Sequence, residues 1–385
     1  MNKKVVFEVE LINGNYYAGL NLPATDYELL DALDRLRMQP QDTPEWELTY
    51  YEGFSELAGI IERAGDIYEI NALAKVMAEH DYMQEASFEA LIKNEIDKQY
   101  GVIPLSTIYD LATSVDGCHT VNLRTDEQLG RFYVENDFLP ELNDVPDKVL
   151  EMLDYAKIGR QMRQEEGGVF AGGYYITQTD ELKKSFDDLD LSLQKPDYSV
   201  LLEISIMNEP KKTMCIKLPV SKQELSEIKE SLKTENECDI VCRCADCRIP
   251  ELADTITQLE EISLINQAAI QIAEISDDYL QQYKAWIDAV GADVTFPLPS
   301  PEEVVESHYF FREITEPSDF AKSELGFYLE PETLELLLPH VNLHTYGEAL
   351  MENQGAKLTP YGLIERTDFQ PFQTEDQTQG GMQMR

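Results

Sequence analysis

The sequence is short of positive charge. Its 385 residues hold 31 lysines and arginines against 73 aspartates and glutamates, a formal net charge of −42. Such a chain gains nothing from counterion release on DNA or RNA, so direct nucleic-acid binding is excluded. The same field opposes docking on an anionic membrane. No run approaches the roughly 18 apolar residues of a membrane span. The opening segment, MNKKVVFEVEL, alternates as a strand does. It lacks the apolar core and small-residue cleavage site of a signal peptide, so a cytoplasmic protein is expected. Common catalytic fingerprints are missing too: no dinucleotide-binding motif, no serine elbow, no HExxH. GGVFAGG (Gly167–Gly173) is glycine-rich, but no Lys-Ser/Thr follows it and Glu165-Glu166 precede it. It reads as a turn into a strand, not a phosphate cradle.

Histidine occurs five times and cysteine six. Cys238, Cys242, Cys244 and Cys247 crowd four thiols into ten residues. Four thiolates suit tetrahedral zinc, but this is not the spacing of two separated CxxC knuckles. Alternating Cys242 and Cys244 equally suit one face of a strand. Cys118-His119 is an adjacent pair, which a turn or a half-buried thiol explains as well as a nucleophile does. His340 and His344 are spaced for one helix face, yet Pro339 and Asn342 suit a turn. No cofactor and no catalytic residue are expected.

What the sequence has is acid, evenly spread. Residues 1–196 carry 17 basic and 38 acidic residues, and residues 197–385 carry 14 and 35, so each part is −21. The hydrophobic fraction of 43% suffices for real cores. B-DNA carries about one charge per 1.7 Å, so the net charge matches roughly 21 base pairs, or about 70 Å of duplex. Composition alone fits solubility, halophily or an acidic binding role equally well.

The sequence also repeats, at a period near 195 residues. LPATDYEL (Leu22–Leu29) returns as LPVSKQEL (Leu218–Leu225), after strand-like segments Val6–Leu11 and Leu201–Ile206. Glu56–Asp81 lies against Glu251–Ser276 with ten of 26 positions identical and no gap. Ile67, Ile70, Leu73, Ala74 and Met77 form a helical stripe there, matched by Ile262, Ile265, Ala268, Ala269 and Ile272. Asn71 and Asn266 fall inside the stripes, where a bond to a neighbouring loop is the expected role. Leu129–Leu142 is similar to Leu325–Leu337, Leu153–Met162 to Val341–Leu350, and Gly172–Ile176 to Tyr361–Glu365. The expected organisation is a first copy at 1–178, an acidic linker at 179–199 with Asp187, Asp188, Asp190 and Pro196, a divergent second copy at 200–366, and a flexible polar tail at 367–385. Each copy reads as strand–turn–strand–helix–strand, a helical middle, then mixed strands and helices. That order predicts an α+β fold built from small subdomains. Ser106-Thr107 are expected to cap a helix through Leu111, and Asp144-Val145-Pro146 to start another.

LPAT-x-x-EL, the E-I-N-x-L-A helix, LG-x-x-x-VE, LDYAKIGR and GGYYI, in that order, resemble ArdA-type antirestriction proteins. The most telling residues are Asp154, Tyr155, Gly159, Arg160 and Gly173-Tyr174. The resemblance implies an acidic, elongated DNA mimic without catalytic residues or cofactor, often carried by conjugative elements. Such proteins occupy the DNA-binding channel of type I restriction-modification enzymes and usually dimerise. The second copy departs from the pattern: Asn342, Leu343 and Glu348 stand where Asp154, Tyr155 and Arg160 stand in the first, and only Gly347 keeps the match to Gly159. The two copies are expected to act as a fused pseudo-dimer, with a homodimer as the other option.

On this reading the partner is met by carboxylates. Expected contacts are Glu8 with Glu203, Glu28 with Glu224, Glu56 with Glu251, Asp66 with Glu261, Glu79 with Glu274 and Glu135 with Glu330, at matching places in the two copies. Glu141, Asp144, Asp147, Glu151 and Asp154 add a dense stretch that would line one face if helical. Any one of these acids alone reads as an ordinary solvated carboxylate. Two other functions compete: inhibition of another DNA-binding protein, such as a CRISPR effector or a repressor, and a hydrolase built on clustered carboxylates or on the cysteines with zinc.

Overall fold

The computed structural model describes residues 4–61, 65–99, 103–142, 145–150, 152–206, 209–232 and 240–372. They fold into small antiparallel sheets among many helices, the mixed architecture expected from the sequence. The chain passes through β1 (Phe7–Asn13), β2 (Tyr16–Leu22), α1 (Asp26–Arg35), β3 (Glu45–Tyr50), α2 (Ser55–Ile61), α3 (Ile67–Glu79), α4 (Tyr82–Gln99) and α5 (Leu105–Thr113). Then come β4 (Cys118–Val121), α6 (Asp126–Glu135), α7 (Asp147–Leu150), α8 (Tyr155–Glu166), β5 (Val169–Ala171) and β6 (Tyr174–Gln178). The same order of strands and helices follows again: β7 (Val200–Ile206), β8 (Glu209–Leu218), α9 (Lys222–Leu232), β9 (Ile240–Cys247), α10 (Ala253–Thr257), α11 (Ile262–Glu274), α12 (Asp277–Val290) and α13 (Pro301–Ser307). It closes with β10 (His308–Phe311), α14 (Pro317–Tyr328), α15 (Pro331–Leu337), α16 (Leu343–Gln354), β11 (Lys357–Thr359) and β12 (Gly362–Arg366). The sheets run β2-β1-β3 and β4-β6-β5, then β8-β7-β9 and β10-β12-β11.

The chain forms two compact units. One holds Met1–Ala24 and Met38–Leu193; the other holds Thr25–Arg37 and Gln194–Arg385.

In the first unit, β1 alternates as its sequence does. Phe7, Val9 and Leu11 are buried, while Glu8 is exposed and Glu10 partly so. A two-residue loop joins β1 to β2, with Gly14 at φ +60° in the first place, where a hairpin loop needs a positive φ. The α3 stripe is buried as expected, each large aliphatic side chain contributing about 1.5–3 kcal/mol of burial. Asp66 caps α3 by accepting from the Tyr68 and Glu69 amides, and Glu69 answers with a bond from the Asp66 amide. Helix α5 begins after Pro104, which takes the N-cap place with no side-chain bond. Ser106 and Thr107 therefore sit inside the first turn and do not cap it. Residues 183–186 lie on α5: the Ser185 and Phe186 amides donate to Asp110, and Phe186 meets Tyr109 edge-on at 5.8 Å.

In the second unit the α11 stripe shares one core with the β8-β7-β9 sheet, where Val200, Leu202 and Ile204 cluster with Ile265, Ala269 and Ile272. Helix α1 belongs to this unit because its inner face is ionic. Lys284, only 2% exposed, donates to Asp31 at 2.7 Å and Asp34 at 2.8 Å. Arg35 bridges Asp31 at 2.8 Å and Glu251 at 2.5 Å, and the Tyr361 hydroxyl lies within hydrogen-bond distance of both Asp31 and Glu251, with one proton to share between them. Burial opposes the Lys284 charge, but Asp31 and Asp34 outweigh it and hold the ammonium above its usual pKa. Phe372 is buried against Ala285, Ala289, Tyr361 and Ile364, so residues 367–372 are anchored and are not part of a free tail.

Candidate partner-binding surface

The two repeated motifs with Leu-Pro are built alike, atom for atom. In the first, Asn71 of α3 accepts from the Ala24 amide at 2.6 Å and donates to its carbonyl at 3.0 Å. In the second, Asn266 of α11 accepts from the Val220 amide at 2.8 Å and donates to its carbonyl at 3.0 Å. The expected structural role of both asparagines holds. The next residues form capping boxes: Thr25 with Glu28, and Ser221 with Glu224. Glu28 and Glu224 are thus engaged by their own helix starts.

The strand register changes which acids correspond. Glu10 lies opposite Gly19 on β2, and Glu203 opposite Cys215 on β8, each three residues before the Leu-Pro bond. Glu203 therefore takes the place of Glu10, and Leu201 the place of Glu8, two residues from the match drawn on sequence. Across the other edge, Glu10 faces Glu47, whereas Glu203 faces Arg243. The Arg243 guanidinium donates to Glu203 at 2.7 Å. Opposite charges across a strand pair add roughly 0.2–1 kcal/mol, and like charges directly opposite destabilise it. Neither Glu10 nor Glu47 has an ion pair among the described residues. The first sheet thus keeps an unrelieved carboxylate pair where the second has neutralised it. The sequence reading missed Glu10 and Glu47; the alternation in EWEL around Glu47 was the available signal.

Other expected contacts divide by what already holds them. Glu251 serves Arg35 and Tyr361, Asp66 caps α3, and Asp154 caps α8 by accepting from the Lys157 amide at 3.0 Å. Glu8, Glu56, Glu79, Glu135, Glu141, Glu261, Glu274 and Glu330 are exposed. Glu135 ends α6 while Glu330 precedes α15, so these two do not correspond: Leu129 and Gly130 of α6 match Phe320 and Ala321 of α14, both pairs buried one turn into the helix. Asp144, Glu151 and the Asp147 side chain lie outside the described residues. The run from Glu141 to Asp154 is not one helix. A 3-10 turn (Pro140–Leu142) and the single turn of α7 occupy it, because Pro140 and Pro146 each interrupt a continuous amide ladder.

The family motif is a helix crossing. Gly159 of α8 lies so close to α6 that an added Cβ would sit 1.8 Å from the Asp126 carbonyl oxygen, and one at Gly130 would sit 1.9 Å from that of Tyr155. In this first crossing both positions are glycine, and neither leaves room for a Cβ. Gly347 of α16 repeats the geometry, 1.9 Å from the Pro317 carbonyl oxygen. Asn342 caps α16 as Asp154 caps α8, and Gly167 and Gly355 end the two helices at φ +66° and +64°. Tyr155 donates to the Leu150 carbonyl at 2.9 Å and carries Arg131 over its ring at 4.5 Å. Arg163 donates to Asp126 at 2.8 Å, with Arg160 at 3.6 Å; this holds the Asp126 carboxyl below its usual pKa. Tyr155 is therefore held within its own helical pair, while Arg160 remains largely exposed.

Cys242 and Cys244 share the buried side of β9, as their alternation suggested, and Cys247 is buried beyond them. Burial pushes the Cys242 and Cys118 thiols up to about 11 and the Cys247 thiol well above its usual value, so these sulfurs stay protonated at neutral pH. Cys238 lies outside the described residues. Among the described residues no group of three or more His, Cys, Asp or Glu is placed to hold a metal. His340 sits in a 3-10 turn before α16 and His344 near the start of α16, where it meets Glu348 at 3.4 Å. No described helix is long and apolar enough to cross a membrane.

The family model described as antirestriction protein (ArdA) matches residues 17–177. No curated protein and no solved structure matches the chain. The match runs from β2 to β6, so it spans the capping box, the asparagine clamp and the glycine crossing. Residues 17–177 are thus similar to the ArdA antirestriction protein family.

Proposed function

We propose that this protein inhibits type I restriction-modification enzymes by offering carboxylates to the basic channel that holds their DNA. The observation that carries the reading is the family match over residues 17–177. The net charge of −42 and the unrelieved Glu10–Glu47 pair support it. A channel lined with Lys and Arg gains affinity by releasing counterions, and a folded array of acids draws on the same source. Because carboxylates present no base edges, inhibition is indifferent to the target sequence of the enzyme. The protein acts by occupancy and turns nothing over.

Residues 200–366 are, in this account, a diverged second copy. The repeated element order, the second asparagine clamp and the Gly347 crossing support that. Its Glu203–Arg243 ion pair takes one carboxylate out of the array. The exposed acids Glu8, Glu56, Glu79, Glu135 and Glu141 carry the contact in the first copy, and Glu261, Glu274 and Glu330 contribute from the second. The two copies stand in for a dimer, so sedimentation should give the mass of one chain.

The test is titration of a purified type I enzyme cleaving DNA. Complete inhibition at a fixed molar ratio, without loss of inhibitor, is expected. Cleavage that continues at excess inhibitor would remove the proposal.

A further inference from the structure

The first unit contains a cavity of about 530 Å³ that the charge array does not explain. Its wall is a chain of rings meeting edge to face: Tyr51 with Phe54 at 6.5 Å, Phe54 with Phe88 at 5.9 Å, and Phe88 with His80 at 5.9 Å. Its rim carries Glu52 and Glu85. The Tyr51 hydroxyl is pushed above its usual pKa by burial and then by Glu85 and Glu89, so the space beside it is electronegative.

Two features show what such a space takes. The Lys4 ammonium already donates to Glu85 at 2.6 Å and to the His80 carbonyl at 3.3 Å, so a cation from the chain itself is held at the rim. His80 supplies a vacant acceptor. Its Nε2 faces the Ala112 carbonyl at 3.0 Å and must carry the proton, because a carbonyl only accepts. Nδ1 is then a bare lone pair, buried and without a partner among the described residues. Burial holds the ring below its usual pKa and keeps it neutral.

A guanidinium meets all three demands. It stacks on aromatic faces, carries a charge for the carboxylates, and brings the kind of donor that the His80 Nδ1 in the wall lacks. We propose that this cavity is a socket for an arginine side chain of the partner protein, anchoring an encounter that the surface acids steer. Arginine is enriched among the residues that anchor protein interfaces from well-packed pockets. The identity of the partner rests on the function proposed above; the chemistry of the socket does not.

The experiment is calorimetric titration of the full chain with Nα-acetyl-arginine amide and with its neutral isostere Nα-acetyl-citrulline amide. The arginine probe should bind with a Kd of about 1 mM and the citrulline probe at least about tenfold more weakly. Glu52→Gln with Glu85→Gln, both exposed and harmless to the core, should weaken the arginine probe about tenfold. Lys4→Met should tighten it, by releasing Glu85. Equal binding of the two probes, no saturable binding, or a Lys4→Met protein that binds less well would each overturn the socket. A protein that binds the arginine probe but does not inhibit the restriction enzyme would overturn the functional reading and leave the socket standing. One that inhibits but does not discriminate the probes would do the reverse.

Discussion

Two asparagines and two glycines carry much of the fold. Asn71 and Asn266 are 3% and 6% exposed, and each satisfies both polar groups of one backbone residue. Replacing Asn71 by Ala strands a buried amide and carbonyl of Ala24, and replacing Asn266 strands a part-buried pair at Val220. Asn71→Ala should destabilise the first unit and Asn266→Ala the second, each by about 1–3 kcal/mol in urea unfolding; a loss confined to a few tenths would mean that the clamp is dispensable. Gly159→Ala is a different fault, since its Cβ would collide with backbone and not with a movable side chain. A cost of about 1–3 kcal/mol is expected, with α6 and α8 losing amide protection first in hydrogen exchange. Unchanged protection in those two helices would refute the crossing. The asparagines were legible in the sequence because they interrupt an apolar stripe. Gly130 was not, because its meaning depends on Gly159, 29 residues away.

Among elements, the capping boxes carry a local signal, since their partners lie three residues apart in one segment, but the cap expected from the sequence fell at Ser106-Thr107, where Pro104 takes the place instead. Strand pairing was not. The Glu10–Glu47 contact spans 37 residues and is set by register, which the alternation of either strand leaves open. Glu47→Arg would copy the second sheet's arrangement into the first. It should stabilise the first unit by about 0.2–1 kcal/mol and weaken inhibition at the same time. A stabilised variant that inhibits fully would show that the carboxylate pair plays no part in binding. The α6–α8 pair adds a pH dependence. The bond from Arg163, and then the nearby positive charges, lower the Asp126 pKa, so its contribution is present above the ordinary value of 3.8 and is lost as pH falls below it. Urea midpoints measured from about pH 5 to pH 3 should fall more steeply for the native protein than for Asp126→Asn. Parallel curves would rule the ion pair out as a source of that slope.

At the scale of the whole molecule, the charge and the mixed order of strands and helices could be read from the sequence. The attachment of α1 to residues 194–385 could not, because the ionic contacts of Asp31 and Arg35 reach Glu251, Lys284 and Tyr361, more than 200 residues on. The expected acidic face between Glu141 and Asp154 also failed, because spacing alone ignored what Pro140 and Pro146 do to a helix. The function proposed above would rest on the summed field of many carboxylates, so it is best tested through salt. Affinity for a purified type I restriction-modification enzyme should be measured by displacement of fluorescent DNA at about 50 mM and about 200 mM salt, a range over which several charge contacts change affinity by orders of magnitude. The account predicts one-to-one displacement that weakens steeply with salt, with a log–log slope of several units. Displacement that is insensitive to salt, or none at all from a folded protein, would contradict it.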